Sequence, residues 1–180
     1  CFKQPERILV GRILHTTIEA TQVLKLSGEV KVNHSPALSR FIGTLTQFDI
    51  LKSFIIDLTE ADSLDSTALG FLAKIAIHTQ NQFQFKPTIV CYSADINRIM
   101  QSMGFAKIFV LSEQPIEAIE NMSELSCDAT DENNLRLQVL DAHRTLMGLN
   151  HSNFLEFHDL VEALEGELPD AGLPGKQLAQ

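Results

Sequence analysis

Hydrophobic and polar positions change period repeatedly along the first 120 residues. Residues 21–26 (Thr-Gln-Val-Leu-Lys-Leu) alternate with a period of two and run into Ser27-Gly28, which predicts a strand ending in a turn, with 7–14 as its hairpin partner. Ser35-Pro36 then offers a helix start, and Leu38, Phe41, Ile42 and Leu45 share one helical face, predicting a helix over about 36–47. Residues 53–58 (Ser-Phe-Ile-Ile-Asp-Leu) form a nearly continuous apolar run, the pattern of a central strand covered on both faces; the polar stretch 59–65 after it reads as a loop. Leu69, Leu72, Ala73, Ala76 and Ile77 resume helical spacing, so a second helix starts at Ser66 or Thr67 and runs to about Gln80. A strand over 88–92 follows Pro87, Ser93 caps a helix carrying Ile96, Ile99, Met100 and Met103, and Gly104 stops it. A short strand at 108–111 and a helix at 116–122 behind Pro115 complete the order β-β-α-β-α-β-α-β-α.

The pattern changes after the polar stretch 121–133. Leu135, Val139, Ala142, Leu146 and Leu149 are spaced 4-3-4-3, and Phe154, Phe157, Val161, Leu164 and Leu168 are spaced 3-4-3-4 on the far side of residues 148–152. Two helices forming an antiparallel hairpin are predicted. The chain thus divides into an α/β body (1–122), a linker (123–133), a helical hairpin (134–168) and a flexible tail (169–180) with two prolines and two glycines.

Charge sharpens this division. Residues 1–122 carry 12 acids and 11 bases, whereas 123–180 carry 11 acids and 3 bases. A neutral body with an acidic extension, and no basic stripe, predicts no nucleic-acid partner. Apolar residues make up 44% of the chain, enough for a sizeable core, yet no run reaches a membrane span because Lys74 interrupts the most apolar helix. The N-terminal residues lack the basic-then-apolar order of a secretory signal, and Cys91 and Cys127 show no paired spacing, so a reducing, cytoplasmic setting is expected.

Candidate chemistry concentrates in residues 54–70. An apolar strand delivers an acidic stretch (Glu60, Asp62, Asp65) to a helix whose first turn presents two hydroxyls, Ser66 and Thr67. Asp65 or Ser66 can cap that helix. A phosphate on Ser66 would be accommodated by the free N–H groups of the helix start, while the neighbouring acids would make it a strong electrostatic change at the surface. No GxSxG elbow or evident histidine partner marks Ser66 as a hydrolytic nucleophile, and no glycine-rich phosphate loop predicts a cofactor. His143, His151 and His158 in the hairpin could share a metal, but without a close His/Cys set no metal site is predicted.

The stretch Asp57-Leu58 … Leu64-Asp65-Ser66-Thr67-Ala68-Leu69-Gly70 resembles the signature of STAS domains, the fold of bacterial anti-sigma factor antagonists, which carry Asp-Ser-Ser/Thr-Gly-Leu-Gly after a central strand. Leu26-Ser27-Gly28-Glu29-Val30 and Ser102-Met103-Gly104-Phe105 are similar to two further family motifs, and together they cover about residues 8–120. The chain departs from many members at Ala68, where they have glycine. The resemblance implies a mixed sheet with helices mainly on one face and a phosphorylation site at Ser66, with Thr67 as the second choice. It also implies partner contacts at Asp57, Asp62, Asp65, Ser66, Thr67, Ala68, Leu69 and Gly28. By the same resemblance the partner is an anti-sigma factor with a GHKL-type serine kinase domain, bound while Ser66 is unphosphorylated and released after phosphorylation, and a PP2C-type phosphatase resets the site. The alternative within the family is a STAS subunit of an ABC-type lipid transport complex. The acidic hairpin lies outside the motifs: it either covers one face of the domain or serves as a partner surface, such as one for a homodimer.

Overall fold

The computed structural model describes residues 10–167. Its elements are β1 (Arg12–Ile18), β2 (Thr21–Val30), α1 (Ser35–Leu45), β3 (Ser53–Leu64), α2 (Ser66–Phe83), β4 (Thr88–Val90), α3 (Ala94–Ser102), β5 (Val110–Ser112), β6 (Ser123–Glu124), α4 (Glu132–Met147) and α5 (His151–Gly166). One sheet holds all the strands in the order β5-β4-β3-β2-β1-β6. β1 pairs antiparallel with β2 through a tight turn at Glu19, and β2, β3, β4 and β5 are successive parallel neighbours.

That topology places the helices. Each β-helix-β connection from β2 to β5 steps to the next strand in the same direction, and right-handed crossovers then put α1, α2 and α3 on one face. Leu24, Leu26, Phe54, Ile56 and Leu58 are essentially inaccessible and form one core with Leu38, Phe41, Leu72 and Ile75 of α1 and α2. The opposite face of the sheet, carrying Val23, Lys25, Asp57 and Thr59, borders a cavity of about 210 Å³ closed by residues 116–119 and Met122.

Several expectations are corrected. No helix forms at 116–122: the segment is irregular and runs along the sheet to β6, which lies inside the expected linker and pairs with the β1 edge. Its short apolar positions cover the sheet directly. Nor do β2 and β3 end where the turn and loop signals suggest. They stay paired to Val30 and Leu64 across two register shifts, and Gly28 at φ +67° sits at one of these irregularities rather than in a turn. Ser35 lies inside α1, and its hydroxyl is buried without a partner instead of capping the helix. Residues 7–9 of the first expected strand, Leu168 and the expected tail lie outside the described residues.

The hairpin forms as the spacing predicts. Asp131 caps α4 through the Asn134 N–H and Asn150 caps α5 through the Asn153 N–H. Arg144–Glu165 and Arg136–Glu167 ion pairs brace the two helices against each other. Its inner face packs on α2 of the same chain, with Ala142, Leu146 and Phe157 joining the core.

Candidate functional site

Asp65 organises the start of α2. Its backbone is extended, its Oδ1 accepts the Ala68 N–H at 2.8 Å, and its Oδ2 accepts the Val32 N–H at 2.7 Å. One carboxylate therefore caps the helix and ties the Lys31–His34 turn beside it. The Asp65 N–H, donating to the Val30 carbonyl at 3.3 Å, adds a second link to the end of β2. These bonds bring the end of β2 and the Lys31–His34 turn against the helix start.

Ser66 is the first residue of α2 and is half-buried. Its Oγ lies 2.8 Å from Nε2 of His143, a residue of α4 that is only 2% exposed. The other ring nitrogen, Nδ1, is 2.8 Å from the Val139 carbonyl, which can only accept, so Nδ1 carries the hydrogen. In the tautomer with its hydrogen on Nδ1, Nε2 accepts from the Ser66 hydroxyl. The ring packs edge-on against Phe157, with centroids 5.2 Å apart. One turn along α2, Gly70 lets the helices touch: a Cβ there would stand 2.4 Å from the Ala142 carbonyl oxygen. Lys74, a further turn on, pairs with Asp141.

A serine hydroxyl donating to an oriented imidazole is the nucleophile–base half of a hydrolytic triad. The imidazole here is enclosed by its own hairpin, and Ser66 and His143 line none of the described cavities. The contact holds two parts of the chain together. The sequence alone offers His143 only as a candidate metal ligand. Its position four residues after Val139 puts it on the packed face of α4, and that spacing was the available signal. His151 and His158 instead pack on Phe154 of α5. His158 groups with Asp159 and Glu162 on the exposed side of the helix, where all three point into solvent.

The structure gathers some of the expected site residues and separates others. Asp65, Ser66, Thr67, Ala68 and Leu69 are contiguous at the helix start, yet Thr67, Ala68 and Leu69 are 4%, 1% and 2% exposed. Thr67 therefore offers no accessible hydroxyl, and the accessible part of the motif is 62–66. Asp62 is exposed. Gly28 pairs with Ala61 two positions before Val30, so it lies near the helix start. Asp57 does not: it sits seven residues up β3 from Leu64, roughly 23 Å along an extended strand. Its Oδ1 accepts the Thr59 N–H, and Lys25 stands 4.0 Å from its Oδ2. Glu60 turns to the same Lys25 at 2.6 Å and so does not crowd Ser66.

Sheet order, one-sided helices and an Asp-Ser helix start define a mixed α/β domain with its candidate site at the start of α2. Residues 12–120 match the STAS domain, and the chain belongs to that family. Among solved structures it is similar to an anti-sigma factor antagonist from Mycobacterium paratuberculosis, with 23% identity and a TM-score of 0.50 over 59% of this chain and 89% of that one. It is also similar to the anti-sigma factor antagonist SpoIIAA in its unphosphorylated form, with 13% identity and a TM-score of 0.48 over 58% of this chain and 89% of that one. No curated protein matches the chain. Among the described residues no helix is long and apolar enough to cross a membrane.

Proposed function

We propose that this chain is an anti-sigma factor antagonist. In its unphosphorylated form it sequesters an anti-sigma factor that carries a GHKL-type serine kinase domain, which frees a sigma factor in the cytoplasm. The kinase phosphorylates Ser66, the complex separates, and a PP2C-type phosphatase restores the binding form. The observation that carries this reading is the placement of Ser66 as the first residue of α2 in a STAS domain, directly after an aspartate that caps the helix. Free N–H groups at that helix end suit a phosphate, and the gain of about two negative charges beside Asp65 and Asp62 would repel a partner seated on 62–66 and the Lys31–His34 turn.

The experiment is to incubate the purified chain with GHKL-type kinases of the source organism and ATP, and to map phosphate by peptide mass spectrometry. Phosphate on Ser66 that abolishes complex formation is the expected result. Ser66→Ala and Ser66→Asp variants that both bind the partner as wild type does would overturn the reading. Co-purification with an ATPase transport subunit in place of a kinase would move the assignment to lipid transport.

A further inference from the structure

The contact between Ser66 and the α4–α5 hairpin has its own consequence once Ser66 is taken as the phosphorylation site, and the inference rests on that reading. We propose that the hairpin is a phosphate-sensitive cover: it is docked on α2 while Ser66 carries a free hydroxyl, and it is released from α2 when Ser66 is phosphorylated.

Three observations carry this. The docked hairpin depends on the Ser66 hydroxyl as a donor, because the buried Nε2 of His143 has Ser66 Oγ as its hydrogen-bond partner at 2.8 Å. Phosphorylation replaces the hydroxyl hydrogen with a phosphoryl group. No donor remains on Oγ, and Nε2 would face oxygen acceptors across a gap already at contact distance. The fit along the rest of the interface is also tight, since the Ala142 carbonyl leaves no room for even a methyl group at Gly70. Finally, the hairpin beneath which the phosphate would arise is acidic: residues 132–167 hold 7 acids against 2 bases. Both bases, Arg136 and Arg144, are engaged within the hairpin by Glu132, Glu165 and Glu167. On the facing helix Lys74 is paired with Asp141, and Asp65 lies next to the modified residue. A phosphoserine with about −1.5 to −2 charge would meet repulsion from both sides of the interface.

The hairpin is built to move as a unit. Its own arginine–glutamate pairs hold α4 to α5, and α5 packs chiefly on α4. Beyond α2, α4 also touches α1, and Asn150 and Asn153 donate to the Met103 carbonyl at 3.2 and 2.9 Å. The sheet, by contrast, is completed without it, because β6 closes the β1 edge before α4 begins.

The test needs neither kinase nor partner. Phosphoserine is installed at position 66 of the full chain by nonsense suppression, and backbone hydrogen exchange is followed by mass spectrometry. Exchange in α4 and α5 is expected to rise by about tenfold or more while β2 and β3 keep their protection. Ser66→Ala removes the same hydrogen bond without adding charge and is expected to give a smaller rise. Gly70→Ala drives a methyl group against the Ala142 carbonyl in the unmodified chain and is expected to loosen the same two helices alone. Unchanged protection of α4–α5 in the phosphorylated chain would overturn the proposal. So would stronger protection, which would mean that His143 clamps the phosphate, or a Gly70→Ala chain whose sheet and hairpin loosen together. None of these results bears on whether an anti-sigma factor binds, and a failure to find that partner leaves them standing.

Discussion

Ser66 Oγ and His143 Nε2 are separated by 77 positions in the chain and by 2.8 Å in the fold. The bond joins the family domain to its C-terminal extension at the serine proposed as the phosphorylation site, so the chemistry of that serine and the attachment of the hairpin are linked.

Replacing Ser66 with Ala leaves the buried His143 Nε2 without a donor. A cost of about 1–3 kcal/mol is expected, read as a lower urea midpoint at unchanged m. Adding His143→Leu removes the stranded acceptor, so the double variant should lose less than the sum of the two single changes. Strict additivity would show that the bond does not form in solution.

Asp65 accepts two backbone N–H bonds, from Ala68 and Val32. Asp65→Ala removes a helix cap and the tie to the Lys31–His34 turn, for an expected loss of about 2–3 kcal/mol. Asp65→Asn keeps an acceptor oxygen and should recover much of it. A loss under about 0.5 kcal/mol, the range of an ordinary surface change, would contradict the organising role given to this carboxylate.

Two glycines should respond with opposite signs. Gly28 has φ +67°, and a Cβ there would lie 2.6 Å from the Val10 carbonyl oxygen, so Gly28→Ala is expected to cost more than about 2 kcal/mol. Gly43 lies within α1 with nothing within 4 Å of a new Cβ. Gly43→Ala should stabilise by roughly 0.5–1 kcal/mol. Thermal melts of the two variants side by side would check both signs.

Burial holds the His15 imidazole below the ordinary histidine range. The ring packs edge-on to Phe41 at 5.7 Å. The folded state therefore binds fewer protons than the unfolded state, and the sign follows: stability is full above the unfolded value of about 6.5 and falls as pH drops below it. His15→Phe keeps an aromatic ring against Phe41 and removes the titration. Denaturation midpoints between about pH 7 and pH 5 should then flatten relative to wild type; an unchanged slope would place the loss on another group.

Local signals made much of this protein legible. The apolar run ending at Leu58 marked the central strand, and Asp65, Ser93 and Gly104 stand at the helix ends that their side chains and backbone freedom suit. The 4-3-4-3 spacing marked the hairpin. These features depend on residues within a few positions of one another, and periodicity and capping read them directly. Where the local signal was weak, neighbours decided. Residues 59–64 are polar enough for a loop, yet they remain strand because β2 offers a parallel partner as far as Val30. Residues 116–122 have helical composition, but they run over the sheet face opposite the helices, where Ile116, Ile119 and Met122 are half-buried around a cavity they share with Val23, and this partial shielding outweighs their helix propensity.

The sequence by itself determined the strand–helix alternation, the Asp-Ser helix start and the two-helix extension, because each follows from the spacing of nearby residues. Only the tertiary structure decided which groups meet. Asp57 and Glu60 share Lys25 on the far face of the sheet, Thr67 to Leu69 are buried, and His143 closes on Ser66. Those outcomes depend on how a separately encoded hairpin packs against α2, and no periodicity within either segment carries the geometry of the interface between them.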